Sequence, residues 1–263
     1  MADQLKIGVV GCLGRMGQAI VASVAEATGA VFAAGSEVAV HPGVGKRMSG
    51  TDVIVGDDAR EVFSAADVVI DFTPPGNTAA HAVLAAETGT ALIVGTTGFT
   101  EDDNAAMDHA AEDTALVQAG NYSLGVNLLT ALVKQAASKL GAEWDIEVLE
   151  MHHKHKVDAP SGTALMLGEA AAEGRDEKLD DIRADVRDGI TGEREKGSIG
   201  FAALRGGSVI GEHDVIFASG SERLTLSHKA ENRTLFADGA VRAAIWVAGQ
   251  KPGRYTMTDV LGL

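Results

Sequence analysis

The residues best equipped for chemistry are His152, His153, Lys154, His155 and Lys156, followed directly by Val157-Asp158-Ala159-Pro160-Ser161-Gly162-Thr163. Three imidazoles and two ammonium groups crowd into five positions of an acidic chain. Imidazole titrates near ~6.5, which suits proton transfer at neutral pH. The lysines add a local positive field that would hold a carboxylate-rich substrate. Pro160, Ser161, Gly162 and Thr163 read as a helix start, whose N–H groups and hydroxyls bind an anion. One short segment therefore offers a proton donor, a cation and an anion cradle. The plainer reading is a solvated basic loop before a capped helix. A metal site fits less well, and no metal is expected. The H-H-x-H spacing differs from helical H-E-x-x-H, no carboxylate completes the set, and adjacent lysines oppose a bound cation.

A second candidate lies near the chain start. Gly11, Gly14 and Gly17 form G-x-x-G-x-x-G, with Cys12, Leu13, Arg15 and Met16 between them. The string follows an apolar run and opens a helical pattern, the context in which backbone N–H groups and a helix N-terminus receive a pyrophosphate. The usual G-x-G-x-x-G spacing is not met, and glycines also serve plain helix–strand packing. Glu37 lies 20 residues beyond Gly17, where an acidic side chain grips ribose hydroxyls. Val38 stands where an arginine could meet a 2′-phosphate, which tilts the cofactor toward NADH; Lys46 and Arg47 keep NADPH open. Gly95-Thr96-Thr97-Gly98 and Ala119-Gly120-Asn121-Tyr122-Ser123 both end predicted strands. There, small residues leave room for a nicotinamide, although turn chemistry explains either string alone. The stretch around Lys46 resembles a P-loop only superficially, because Val40 and Arg47 occupy the wrong positions. His213, His228 and Lys229 are assigned by default to core or surface.

Composition narrows the class. The chain has 263 residues, room for one large or two modest domains. A net charge of −15 argues against a nucleic-acid partner. One cysteine, Cys12, permits neither an internal disulfide nor a Cys-based zinc site. With no signal-peptide pattern and no apolar run of membrane length, the expectation is a cytoplasmic protein without a membrane partner.

The elements that must position these residues follow from periodicity. Strands are predicted at 6–10, 31–34, 52–55, 67–73, 91–94 and 115–118, and helices at 15–28, 77–87 and 101–112. Near-continuous apolar strands alternating with helices imply an α/β, doubly wound parallel sheet. After residue 121 the pattern changes. A long helix spans 124–140, a half-buried strand 144–151 and a helix 161–172. A charged excursion fills 173–195. Strands follow at 198–204, 209–218 and 223–228, with turns at Gly206-Gly207 and Ser219-Gly220, and a helix covers 233–249. This second, C-terminal domain is α+β with a mostly antiparallel, mixed sheet. The expected boundaries are 1–122, completed by 233–263, and 123–232.

The strings GCLGRMG, DFT before two prolines, GTTGF, AGNYSLGVN, HHKHKVDAPSGTA and HKAENRTLFADGAVRAAIW run nearly end to end. On them the chain resembles the 4-hydroxy-tetrahydrodipicolinate reductase (dihydrodipicolinate reductase) family. The resemblance implies a Rossmann-like N-terminal domain. It implies NAD(P)H-dependent reduction of a cyclic dicarboxylate imine in diaminopimelate and lysine biosynthesis, and a homotetramer built through the second domain's sheet. His152 would then be the proton donor or acceptor and Lys156 a proton donor. His153, Ser161, Gly162 and Thr163 would hold substrate carboxylates. Gly11 to Met16, Glu37, Gly95, Thr96, Thr97, Ala119, Gly120, Asn121 and Tyr122 would bind the dinucleotide. The site is expected between the domains, with hinges near Asn121 to Ser123 and Glu231 to Arg233. Two alternatives stand beside it: another nicotinamide-dependent reductase of a small amino or keto acid, and a non-catalytic dinucleotide sensor.

Overall fold

The computed structural model describes residues 4–184 and 187–263. The chain begins β1 (Leu5–Val10), α1 (Arg15–Glu26), β2 (Ala30–Ser36), α2 (Ala59–Ala65), β3 (Val68–Asp71), α3 (Thr78–Thr88), β4 (Ala91–Val94), α4 (Glu101–Ala110) and β5 (Ala115–Gln118). It continues with α5 (Leu124–Leu140), β6 (Asp145–His152), α6 (Gly162–Glu173), α7 (Leu179–Ile182), β7 (Ile199–Arg205), β8 (Glu212–Ala218) and β9 (Arg223–Lys229). It closes with α8 (Thr234–Val247), β10 (Gly253–Tyr255) and α9 (Met257–Leu261). Two compact units result, Met1–Leu124 with Thr234–Gly262 and Gly125–Arg233 with Leu263.

The first unit is a six-stranded parallel sheet in the order β10-β5-β4-β3-β1-β2. Side chains alternate across a strand, so each central strand feeds two cores. Ile7, Val9, Val68, Ile70, Ile93 and Val117 pack on one face against α1 and α8. Val10, Val69, Leu92, Val94 and Leu116 pack on the other against α2, α3 and α4. Helix ends carry local stops. Gly89 ends α3 in the left-handed conformation at φ 67°. Thr100 and Asp103 make a reciprocal capping box on α4.

The structure corrects one expectation in this unit and adds two elements. Residues 52–55 are not a sheet strand. They fold back on residues 45–48 through Gly45 N–H to Val55 O at 2.8 Å and Met48 N–H to Val53 O at 2.8 Å. Helix α2 was absent from the sequence reading, since only Val62 and Phe63 of its seven residues are buried. The expected short tail contains β10, an edge strand too brief for periodicity, paired with β5 and fixed by Arg254 to Gln118 at 3.0 Å.

The second unit is a mixed sheet, β7-β6-β8-β9. β6 is parallel to β7 and antiparallel to β8, and β8 is antiparallel to β9. Gly206 and Gly207 are therefore not a hairpin turn, because the chain leaving β7 crosses β6 to reach β8. Instead they brace the histidine–lysine segment, through Gly206 N–H to His152 O at 2.9 Å and Lys154 N–H to Gly207 O at 3.3 Å. Ile146, Val148, Val215 and Phe217 form the sheet's apolar face, covered by Leu129 and Val133 of α5 and Ala164 and Leu167 of α6. In the charged segment after α6, Arg194 reaches Asp145 at 3.0 Å and Glu147 at 3.1 Å.

Gly239 shows how closely α8 approaches its neighbours. A Cβ there would lie 1.7 Å from the Tyr122 carbonyl oxygen, so only glycine permits the contact. Gly239→Ala is expected to destabilise the first unit by about 2–4 kcal/mol and lower its melting temperature. Gly120→Ala, where an added Cβ meets nothing within 4 Å, should leave the melt unchanged. Equal melting of both variants would contradict this packing.

Candidate active site

In the first unit the strand order reverses between β1, β2 and β3, so a crevice must open beyond their carboxyl ends. A cleft of about 330 Å³ lies there, lined by Gly11, Gly14, Glu37, Phe72, Thr73 and His81 among others. Gly11 takes φ +68°. Gly17 lets α1 close on the turn, since a Cβ would fall 2.2 Å from Gly11 O. Gly14 caps α1 without any side-chain hydrogen bond, which leaves the helix start suited to an anion. Glu37 follows β2, and its carboxylate accepts from Leu13 N–H at 3.2 Å and Val38 N–H at 3.0 Å. The groups present fit a dinucleotide: a glycine turn, an uncapped helix start and a carboxylate at the end of the second strand.

The other proposed cofactor residues occupy the same sheet end. Arg15 and Met16 open α1, Gly95 to Thr97 follow β4, and Ala119 to Tyr122 follow β5. Several have commitments of their own. Cys12 is buried, and burial with the nearby Glu37 carboxylate pushes its thiol up to about 11. Gly95 admits the Phe72 ring, which a Cβ would strike at 2.4 Å. Thr96 Oγ1 donates to Thr73 O at 2.8 Å. The Tyr122 ring is core, its hydroxyl 2.9 Å from the carbonyls of Val94 and Val117, so only its backbone can face a ligand. Sequence reading missed the buried pair Asp71–His81, with Nδ1 2.7 Å from Oδ2, in which His81 lines the cleft. The signal was an aspartate closing an otherwise apolar strand.

In the second unit the site grows out of β6. Its inward positions are Ile146, Val148, Glu150 and His152, so one alternation passes from oil to ions. Glu150 is 1% exposed. Its Oε2 lies 2.6 Å from His152 Nδ1 and 2.7 Å from Arg205 Nη1. Its Oε1 lies 2.8 Å from Arg205 Nη2 and 3.1 Å from Ser161 N. His213, opposite Glu150 across the ladder, reaches Ser161 Oγ at 3.1 Å and stands edge-on to His152 at 5.1 Å. Ser161 Oγ also accepts from Ala164 N–H at 3.2 Å, capping α6. Gly162, next in line, is exposed and an added Cβ would meet nothing, and Thr163 follows it in the helix's first turn. Lys156 pairs with Asp158 at 2.8 Å. His153 Nε2 accepts from Arg233 at 3.3 Å.

Environment sets the charges. Burial alone would raise Glu150, but Arg205, His152 and the Ser161 N–H outweigh it and hold the carboxylate below its ordinary range. Burial, then the neighbouring His152, pushes His213 down to about 4, so it stands neutral beside His152. Burial and then the positive field of Arg233 and its neighbours depress His153. Lys156 lowers Asp158 through their hydrogen bond. The structure thus joins His152 and Ser161 through Glu150. Glu150, Arg205, His213 and Arg233 went unpredicted as site residues. Among the described residues no cluster of His, Cys, Asp or Glu is arranged to hold a metal, and no helix is long and apolar enough to cross a membrane.

A parallel sheet with a ligand cleft at its switch point, coupled in one chain to a sheet bearing a basic turn, defines a dinucleotide-dependent oxidoreductase of two units. Family models described as dihydrodipicolinate reductase, N-terminus and C-terminus, match residues 5–122 and 125–261. The chain belongs to the dihydrodipicolinate reductase family. It is 52% identical to the 4-hydroxy-tetrahydrodipicolinate reductase of Ruegeria sp. (strain TM1040) over 100% of both chains. It is 54% identical to that of Allorhizobium ampelinum over 98% of both. Its fold is like that of a dipicolinate-bound dihydrodipicolinate reductase from Paenisporosarcina sp. TG-14, with TM-score 0.79, 23% identity, and 97% and 99% of the chains covered. A probable dehydrogenase from Thermotoga maritima follows at TM-score 0.65 and 13% identity, with 97% of this chain and 92% of that one covered.

The depressed His213 makes a pH prediction. Unfolded, its imidazole takes a proton near ~6.5; folded, it waits until about 4. Its share of stability is therefore complete above ~6.5 and falls as pH drops through that window, by at most about 1.4 kcal/mol per pH unit. Urea titrations between these limits should show a shallower pH slope for His213→Gln than for the parent. Parallel slopes would refute a buried neutral His213.

Proposed function

We propose that the chain reduces 4-hydroxy-2,3,4,5-tetrahydrodipicolinate to tetrahydrodipicolinate with NADH or NADPH, as a step of diaminopimelate and lysine biosynthesis. The observation that carries this reading is His152, held by the buried Glu150 at the strand end where the basic turn meets the start of α6. The glycine turn, the start of α1 and Glu37 would hold the dinucleotide, with Gly95 to Thr97 and Ala119 to Tyr122 bordering its nicotinamide end. Bound there, the dinucleotide would supply the hydride for reduction of the conjugated ring that remains once the hydroxyl is lost as water.

The chain's own groups supply the rest. His153 and the amides of Gly162 and Thr163 anchor the two carboxylates, with Ser161 shaping the helix start. Lys156 places positive charge where electron density collects on the ring nitrogen. His152 delivers the proton to the neighbouring carbon. Glu37 and the uncharged Val38 favour NADH, and Arg47 is occupied by Asp52. The protein acts in the cytoplasm as a homotetramer. The outer face of the second sheet supports self-association, since it carries Leu149, Met151 and the 48% exposed Leu204.

NADH and NADPH oxidation with freshly generated substrate tests the reading. Turnover is expected with that substrate and not with simple keto acids, and NADH binding without turnover would favour the sensor. Lys156→Ala should lower kcat on the order of 10²-fold with little change in NADH affinity. Glu37→Ala should weaken NADH about 10-fold and NADPH less. Equal losses for the two cofactors would mean that Glu37 does not touch the ribose.

A further inference from the structure

We infer that Glu150, clamped by Arg205, is a positioning residue that fixes the proton on His152 Nδ1 and so makes Nε2 the atom that exchanges a proton with substrate. Hydrogen-bond arithmetic at the carboxylate assigns the proton. An ionised carboxylate only accepts, at about four lone-pair sites. Arg205 Nη1 and Nη2 fill two with a bidentate fork at 2.7 and 2.8 Å. The Ser161 N–H fills a third at 3.1 Å. The fourth contact is His152 Nδ1 at 2.6 Å. No proton is available on the carboxylate to donate back, so Nδ1 must be the donor. Arg205 keeps that state in place, because protonating Glu150 would cost the ionic fork on a buried carboxylate.

With Nδ1 committed, only Nε2 can pick up or release a proton. Gly211 stands beside it: an added Cβ would lie 3.1 Å from Nε2. The missing side chain keeps that nitrogen approachable. The titratable and charged groups around the ring are Glu150 on β6, Arg205 on β7, and His213 on β8 with His228 behind it on β9. His153 and Lys156 complete the set from the turn. Burial keeps His213 neutral, so the clamp is the fixed negative partner of His152. The logic is that of an orienting carboxylate behind a catalytic imidazole. It rests on the reading of His152 as the proton carrier.

The test is the long-range proton–nitrogen NMR spectrum of protein labelled with nitrogen-15 histidine, read with steady-state kinetics. In the parent protein His152 should carry hydrogen on Nδ1. In Glu150→Gln that preference should be lost, and kcat should fall on the order of 10²-fold while KM stays within about 3-fold. Gly211→Ala should lower kcat and leave Nδ1 protonated. A parent His152 protonated on Nε2 alone overturns the inference, and so does a Glu150→Gln enzyme with unchanged kcat. If Glu150→Gln fails to fold, the parent spectrum still decides. Full activity of His152→Ala would instead overturn the proton-carrier reading, while the tautomer reports separately on the clamp.

Discussion

One buried carboxylate organises the second unit. Glu150 sits where the apolar face of β6 ends, and an unpaired ion there would cost several kcal/mol. Every lone pair is met, by a fork from β7, by the first amide before α6, and by the imidazole two residues along its own strand. These contacts tie the end of β6 to the start of α6 and to β7. The basic turn inherits its position from them. The bridging glycines after β7 extend the same arrangement, because Gly206 returns a hydrogen bond to the His152 carbonyl.

The first unit answers a different constraint. A parallel sheet covered on both faces has no spare surface except at its strand ends. Reversal of strand order opens that end, and the glycine turn, Glu37 and the Asp71–His81 pair gather around the opening. Close approach is bought by missing side chains: Gly17 against Gly11, Gly95 against Phe72, and Gly239 against Tyr122. The high glycine content expresses this packing as much as turn chemistry.

Local signals were legible in the sequence, and long-range ones were not. β4, β5 and α5 appear with the predicted limits because their apolar runs are bounded by glycine, proline or polar turns. The basic turn and the glycine string were visible because residue type and spacing were unusual. Gly206-Gly207 was misread because a glycine pair between two strand patterns looks the same whether the strands pair or a third lies between them. Glu150 was hidden for a related reason. It continues a strict alternation, and an inward glutamate makes sense only once Arg205 is seen across the ladder. His81 was hidden within a helix whose partner, Asp71, belongs to another strand end.

The strand end organised by Glu150 is proposed to receive a ring dicarboxylate. A crystal structure of the protein with pyridine-2,6-dicarboxylate tests it most directly. It should place one carboxylate on the amides of Gly162 and Thr163 and the ring beside His152, with Nδ1 still on Glu150. A diacid seated away from this turn, or a His152 ring reversed so that Nε2 meets Glu150, would contradict it.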